Sequence, residues 1–169
     1  MTIHEHLNNT SPTKEQIQRL TIDIASGRTD IMLIGAWAVN FYSDEHDERQ
    51  TSDVDFVVLP DSPAPQMIFD AIKGIGIDLF WIDRDNLLTI GERLPDGKTR
   101  HLVDFLYRPI PQGVLFAKGI QIAPIEYLIA EKERIKDVPS RGEKKFTDMR
   151  DIAVLKKIAE KTKIQGVIL

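Results

Sequence analysis

The chain has 169 residues, 42% hydrophobic and 28% charged, with no cysteine and a formal charge of −4 at pH 7. These values suit one folded domain and exclude wholesale disorder, disulfides, thiolate metal sites and cysteine nucleophiles. The small negative charge gives no global attraction to nucleic acid or anionic membrane, although it leaves room for a local basic patch.

Residues Met1 to Asn9 are polar and carry no signal-peptide pattern, and no apolar run approaches the roughly 20 residues that cross a bilayer. A cytoplasmic protein without a membrane partner is the expectation. Thr10, Ser11 or Pro12 opens a helical pattern carried by Ile17, Leu20, Ile24 and Ala25, and Gly27 stands where a helix commonly ends. Ile31 to Ile34 is wholly apolar and suits a buried strand; Gly35 follows, and Ala36 to Tyr42 can continue as a short helix. Asp44 to Glu48 is acidic without apolar periodicity and reads as a solvated loop.

Val54 to Leu59 is a β-branched apolar run closed by Pro60, and Gln66 to Ile75 has helical spacing through Ile68, Ala71 and Ile72. Ile77 to Ile82 suits another strand. Pro95-Asp96-Gly97, between Leu87 to Leu94 and Thr99 to Tyr107, signals a hairpin. Val114 to Ala117 and Ile120 to Ala123 form a further small β element, and Ile125 to Val138 and Phe146 to Ile164 read as two helices. The pattern predicts an α/β (α+β) fold, a mixed sheet flanked by helices, with residues 1–123 as a core and 124–169 as a helical C-terminal segment packed on it. Glu131 to Lys163 holds eleven Lys or Arg against seven Asp or Glu, a solvated helix face or an anion-binding one.

Three features can carry chemistry. Asp53 and Asp55 are two residues apart at the start of an apolar run, so on a strand both carboxylates point to one face and can hold a divalent cation. The pattern is weak by itself, since Asp83-Arg84-Asp85 repeats it among sixteen aspartates. Gly35 closes a strand and opens a helix, a turn whose backbone N–H groups can hold a phosphate, or a plain strand-to-helix turn. Asp104 interrupts the apolar run Leu102 to Leu106, where a charge is paired in a structural salt bridge or bound to a cation.

Together, strand-Gly35-helix, then Arg49-Gln50-Thr51-Ser52-Asp53-Val54-Asp55, then Asp104 on a later strand resemble the nucleotidyltransferase superfamily that includes DNA polymerase beta. The Arg-x-Thr-x-Asp-apolar-Asp run is similar to small prokaryotic abortive-infection toxin-type nucleotidyltransferases and, more loosely, to lincosamide nucleotidyltransferases. Ala123 to Lys132 and Asp148-Met149-Arg150-Asp151-Ile152 are similar to the helical segments that follow the toxin-type core.

The resemblance implies a mixed-sheet transferase fold that moves a nucleoside monophosphate from an NTP to an acceptor, which can be a small molecule, a protein or an RNA. Asp53, Asp55 and Asp104 would be catalytic and would bind Mg²⁺ or Mn²⁺. Gly35 and Ala36 would hold the triphosphate, with Arg49, Thr51, Ser52 and Lys132 as further nucleotide contacts. It also implies an antitoxin-like partner. The sequence departs from the superfamily at Ala36, where a serine or glycine is usual, so phosphate binding would rest on backbone donors. A catalytically degenerate module that binds a nucleotide or a partner is the alternative.

The remaining candidates have plainer readings. Asp148 and Asp151 share a helix face and suit salt bridges to nearby Arg or Lys. Arg49 can pair with Asp53 or another acid, Thr51 and Ser52 can cap a strand entry, and Lys132 can be an ordinary surface lysine. Trp37, Phe41 and Trp81 suit the core. No dinucleotide, P-loop or nucleophile-elbow motif is present.

Overall fold

The computed structural model of the chain describes residues 12–43, 53–112, 114–117 and 119–164. The first helix, α1 (Lys14–Ala25), begins at a capping box: Thr13 Oγ1 accepts from Gln16 N at 3.2 Å and Gln16 Oε1 accepts from Thr13 N at 2.8 Å. Two otherwise orphaned N–H donors are satisfied there, which places the helix start just beyond the Thr10–Pro12 stretch that spacing alone suggests. Strand β1 (Ile31–Ile34) is buried along its length and runs straight into α2 (Gly35–Tyr42).

Strand β2 (Val54–Val58) is followed by α3 (Ala64–Gly74). That helix starts two residues before Gln66, because Ser62 Oγ accepts from Ala64 N at 3.1 Å and Pro65 fits the first turn. Strands β3 (Leu79–Arg84) and β4 (Leu87–Arg93) join through Asp85-Asn86, with Asn86 at φ 57°, a left-handed conformation that asparagine tolerates. Strands β4 and β5 (Thr99–Tyr107) form the hairpin expected around Pro95-Asp96-Gly97, closed by Leu94 N donating to Lys98 O at 2.8 Å. Short strands β6 (Leu115–Ala117) and β7 (Ile120–Ile122) precede α4 (Ile125–Ile135), a 3-10 turn at Pro139–Arg141, and α5 (Lys144–Ile164).

The strands hydrogen-bond into one mixed seven-stranded sheet ordered β3-β4-β5-β2-β1-β7-β6. Pairs β1/β2, β3/β4, β4/β5 and β6/β7 are antiparallel; β2/β5 and β1/β7 are parallel. The core runs along β1, β2, β5 and β7 and is closed by Ile17, Ile68, Ile72, Leu128 and Leu155 from the helices. Phe56 and Phe105, fully buried neighbours on β2 and β5, stack with ring centroids 5.9 Å apart. Each such side chain contributes about 1.5–3 kcal/mol by leaving water. Helix α1 packs on α3, whereas α2, α4 and α5 contact one another; the Tyr42 hydroxyl donates to Ala123 O at 2.8 Å and ties α2 to the chain entering α4. Among the described residues no helix is long and apolar enough to cross a membrane.

Helices α4 and α5 are joined by buried charge. Lys132 Nζ lies 2.9 Å from Asp151 Oδ2 and 3.5 Å from Asp148 Oδ1, and Arg141 grips Asp148 with two bonds of 2.7 and 3.0 Å. Lys132 is 7% exposed, Asp148 1% and Asp151 0%. Removing one member of such a set leaves an uncompensated charge in a low-dielectric interior. Lys132→Ala is therefore expected to cost about 3 kcal/mol, measured as a fall in the urea midpoint, whereas Arg19→Ala, which breaks an exposed pair with Glu15, should change stability by less than about 0.5 kcal/mol.

Candidate active site

Register aligns the polar side chains that the apolar strands carry. In the antiparallel β1/β2 pair Asp55 stands opposite Ile34, the residue before Gly35. In the parallel β2/β5 pair Asp55 stands beside Asp104, and in the antiparallel β4/β5 pair Asp104 stands opposite Thr89. Register partners project to the same sheet face, so the backbone alone puts Asp55, Asp104 and Thr89 in one row. Asp53 precedes β2 and lies in the bend that leads into it, so the strand repeat expected from the sequence reaches only Asp55, and Asp53 joins the row from the strand entry.

One carboxylate oxygen each from Asp53, Asp55 and Asp104 falls within 4.8 Å of the others, and all three residues are half-buried. Burial pushes the Asp55 carboxyl well above the usual carboxylate range; the charges of Asp53 and Asp104 push it further, and the Lys132 charge works against them. Asp104 is raised by burial as well; the Thr89 hydrogen bond opposes that shift and Asp53 adds to it. A cluster of hard oxygen donors whose own repulsion favours protonation gains most from a divalent cation, and oxygen-only donors suit Mg²⁺ or Mn²⁺. The three residues thus fit a divalent metal.

Gly35 completes the cleft. It sits at φ +67°, and a Cβ built on it would collide with the Asp55 carboxylate. Only a residue without a side chain lets the turn close against the acid row. Helix α2 starts there, and among the described residues no side chain caps its first N–H groups, which leaves Gly35 and Ala36 at a positive helix end. Ala36 is half-buried.

Lys132 is not a surface lysine. Its ammonium is held by Asp148 and Asp151 from α5, and its charge also reaches Asp55. Asp148 and Asp151 thus form the salt bridges expected of them. His101, exposed on β5, favours the ionised Asp104 carboxyl through charge. Trp37, Phe41 and Trp81 pack against the core, with Trp81 stacked on Phe69 at 4.5 Å. Arg49, Thr51 and Ser52 lie outside the described residues, as does the acidic stretch from Asp44 to Glu48.

Sequence reasoning missed Thr89 and Arg84. Thr89 Oγ1 donates to Asp104 Oδ1 at 2.5 Å, and Arg84 Nη2 donates to Thr89 Oγ1 at 3.0 Å. The only signal was a lone hydroxyl in the apolar start of a strand, Leu87-Leu88-Thr89-Ile90, and nothing local connects it to Asp104.

No protein-family model and no curated protein matches this chain. Solved structures do. The Megavirus polyadenylate synthase is similar with a TM-score of 0.64 and 17% identity, over 93% of this chain and 35% of that one. A candidate nucleotidyltransferase from H. pylori is similar with a TM-score of 0.52 and 17% identity, over 98% and 99% of the two chains. JHP933 from Helicobacter pylori gives 0.50 and 16%, over 98% and 97%. The chain spans about a third of the viral synthase and nearly the full length of the bacterial proteins.

Two outcomes are expected. Asp55→Asn removes one of three crowded charges, so at pH 8 without metal the variant should melt about 2–4 °C above wild type, on the order of 1 kcal/mol for a chain of this size. Because the folded carboxyl titrates above its unfolded value, that advantage should shrink as pH falls and the wild-type group protonates, and Mg²⁺ should raise the wild-type melting temperature more than the variant's. Gly35→Ala should lose about 1–2 kcal/mol from the left-handed backbone alone, together with the Mg²⁺-dependent rise, both read in the same thermal scans.

Proposed function

From the nucleotidyltransferase fold and its converging carboxylates, we propose that the protein is a metal-dependent nucleotidyltransferase that moves a nucleoside monophosphate from an NTP to an acceptor and releases pyrophosphate. The observation that carries this reading is the alignment of Asp55 with Asp104 across β2 and β5, with Asp53 within reach of both.

Asp53, Asp55 and Asp104 hold the divalent cation, Mg²⁺ or Mn²⁺. When bound, it supplies charge neutralisation for the triphosphate and for the α-phosphoryl group during transfer. The backbone N–H groups of Gly35 and Ala36 bind the phosphates at the start of α2. Asp104 completes the metal site and takes up the proton of the acceptor hydroxyl, a general-base task eased by the neighbouring cation, which makes that hydroxyl more acidic. Lys132 offers a point charge beside the acid row, and Arg49, Thr51 and Ser52 are assigned to the nucleotide from the sequence motif. Residues 1–123 form the transferase core in this reading and 124–169 the helical segment that seats Lys132.

Two observations favour a nucleic-acid end as acceptor over a small molecule or a protein: the likeness to a polyadenylate synthase and the basic excess between Glu131 and Lys163. In this reading the reaction is cytoplasmic, with an NTP as substrate, and the toxin-type resemblance implies an antitoxin-like partner. One observation favours a second reading, a degenerate module that binds a nucleotide without turning it over: Ala36 lacks the hydroxyl or glycine usual at that position.

Incubation with each α-labelled NTP, Mg²⁺ or Mn²⁺ and a cell extract distinguishes the two. Label transfer that falls at least about 100-fold in Asp53→Ala is expected for the enzyme. Nucleotide-dependent stabilisation without transfer under any condition would leave the binding module.

A further inference from the structure

The acid row has a fourth member that carries no charge. Thr89 is 0% exposed, stands opposite Asp104 in the β4/β5 register and gives its hydroxyl proton to Asp104 Oδ1 at 2.5 Å. A threonine hydroxyl has one proton, and two neighbours decide where it goes. Arg84 Nη2, 3.0 Å from the same oxygen, can only donate, so Oγ1 is its acceptor. The proton must then point at Asp104. The chain from Arg84 to Thr89 to Asp104 therefore has one direction, starts from a permanent cation and ends on a carboxylate.

We propose that Thr89 is a positioning residue for the metal site, locking the Asp104 carboxylate plane through Oδ1 and reserving Oδ2 for the divalent cation. The proposal rests on the metal-dependent reading of Asp53, Asp55 and Asp104. Without the hydroxyl, Asp104 can rotate about its terminal torsion, which has broad minima, away from Asp53 and Asp55, whose repulsion drives it in that direction. Hydrogen-bond partners behind a ligand that fix its orientation are typically worth about 10- to 100-fold in metal affinity. Arg84 acts at one remove: it polarises the hydroxyl and holds its proton on Asp104, from an exposed site on β3.

The test is Mn²⁺ affinity of the full chain, measured by electron paramagnetic resonance of free Mn²⁺ with nucleotide absent. Wild type, Asp104→Asn, Thr89→Val, Thr89→Ser and Arg84→Met are compared. Thr89→Val, which keeps the shape and loses the proton, should bind at least about tenfold more weakly. Thr89→Ser, which restores the donor, should stay within about twofold of wild type, and Arg84→Met should weaken binding about threefold. Wild-type affinity in Thr89→Val overturns the proposal while the metal site stands, provided that Asp104→Asn has lost affinity. Failure of wild type to bind Mn²⁺ overturns the metal reading itself. Should Thr89→Val not fold, Arg84→Met and Thr89→Ser decide, and equal affinity in those two overturns the proposal.

Discussion

Three acidic side chains gathered at one site are the constraint around which this protein is arranged. Asp53, Asp55 and Asp104 bring oxygens within 4.8 Å of one another, a separation at which two unit charges repel by about 3 kcal/mol even at an effective dielectric constant of 20. Strand pairing forces the approach. The β2/β5 register that seats Val54 beside Val103 and Phe56 beside Phe105 in the core seats Asp55 beside Asp104 on the opposite face. The apolar gain on one side of the sheet holds the acids together on the other.

The surroundings answer that repulsion in different ways. Thr89 donates a proton to Asp104, Lys132 lends a positive field to Asp55, and Gly35 leaves out the side chain that would strike the Asp55 carboxylate. None of these neutralises three charges. Burial and crowding instead raise the Asp55 and Asp104 carboxyls, so the metal-free cleft favours protons and a cation takes their place to advantage. A site that gained nothing from a cation would be better served by one acid and two neutral residues. That physical argument favours a site that takes up a divalent cation even with Ala36 at the helix start.

The α4/α5 pair ties its own integrity to the same cleft. A buried ion set seldom outperforms a well-packed apolar core, yet it is costly to break, and this one fixes Lys132 at a defined place. Asp148 and Asp151 consume most of its charge, and what remains acts on Asp55. Any phosphate group reaching Lys132 must share it with two aspartates. The basic excess of these helices rests on other side chains, because Lys132 and Arg141 are spent on acids within the pair.

Local periodicity carried the elements. Apolar runs of four to six residues became β1 and β2, helical spacing became α3 and α5, and Pro95-Asp96-Gly97 became a hairpin, because those preferences arise from contacts a few residues apart. The two-residue strand repeat accounts for Asp55 alone, because β2 starts at Val54 and Asp53 reaches the site from the bend before it. Helix starts were less legible, since the Thr13–Gln16 capping box and the Ser62 hydroxyl act through side-chain hydrogen bonds that apolar spacing does not register. Only the tertiary structure decided which strands lie side by side, and so supplied the register by which Asp104, already implicated by the family resemblance, joins Asp55, set Thr89 behind Asp104 and buried Lys132 between two acids. Those pairings depend on how the whole core packs and on the parallel connection between β2 and β5, and a sequence pattern, which is local, holds no record of register between distant strands.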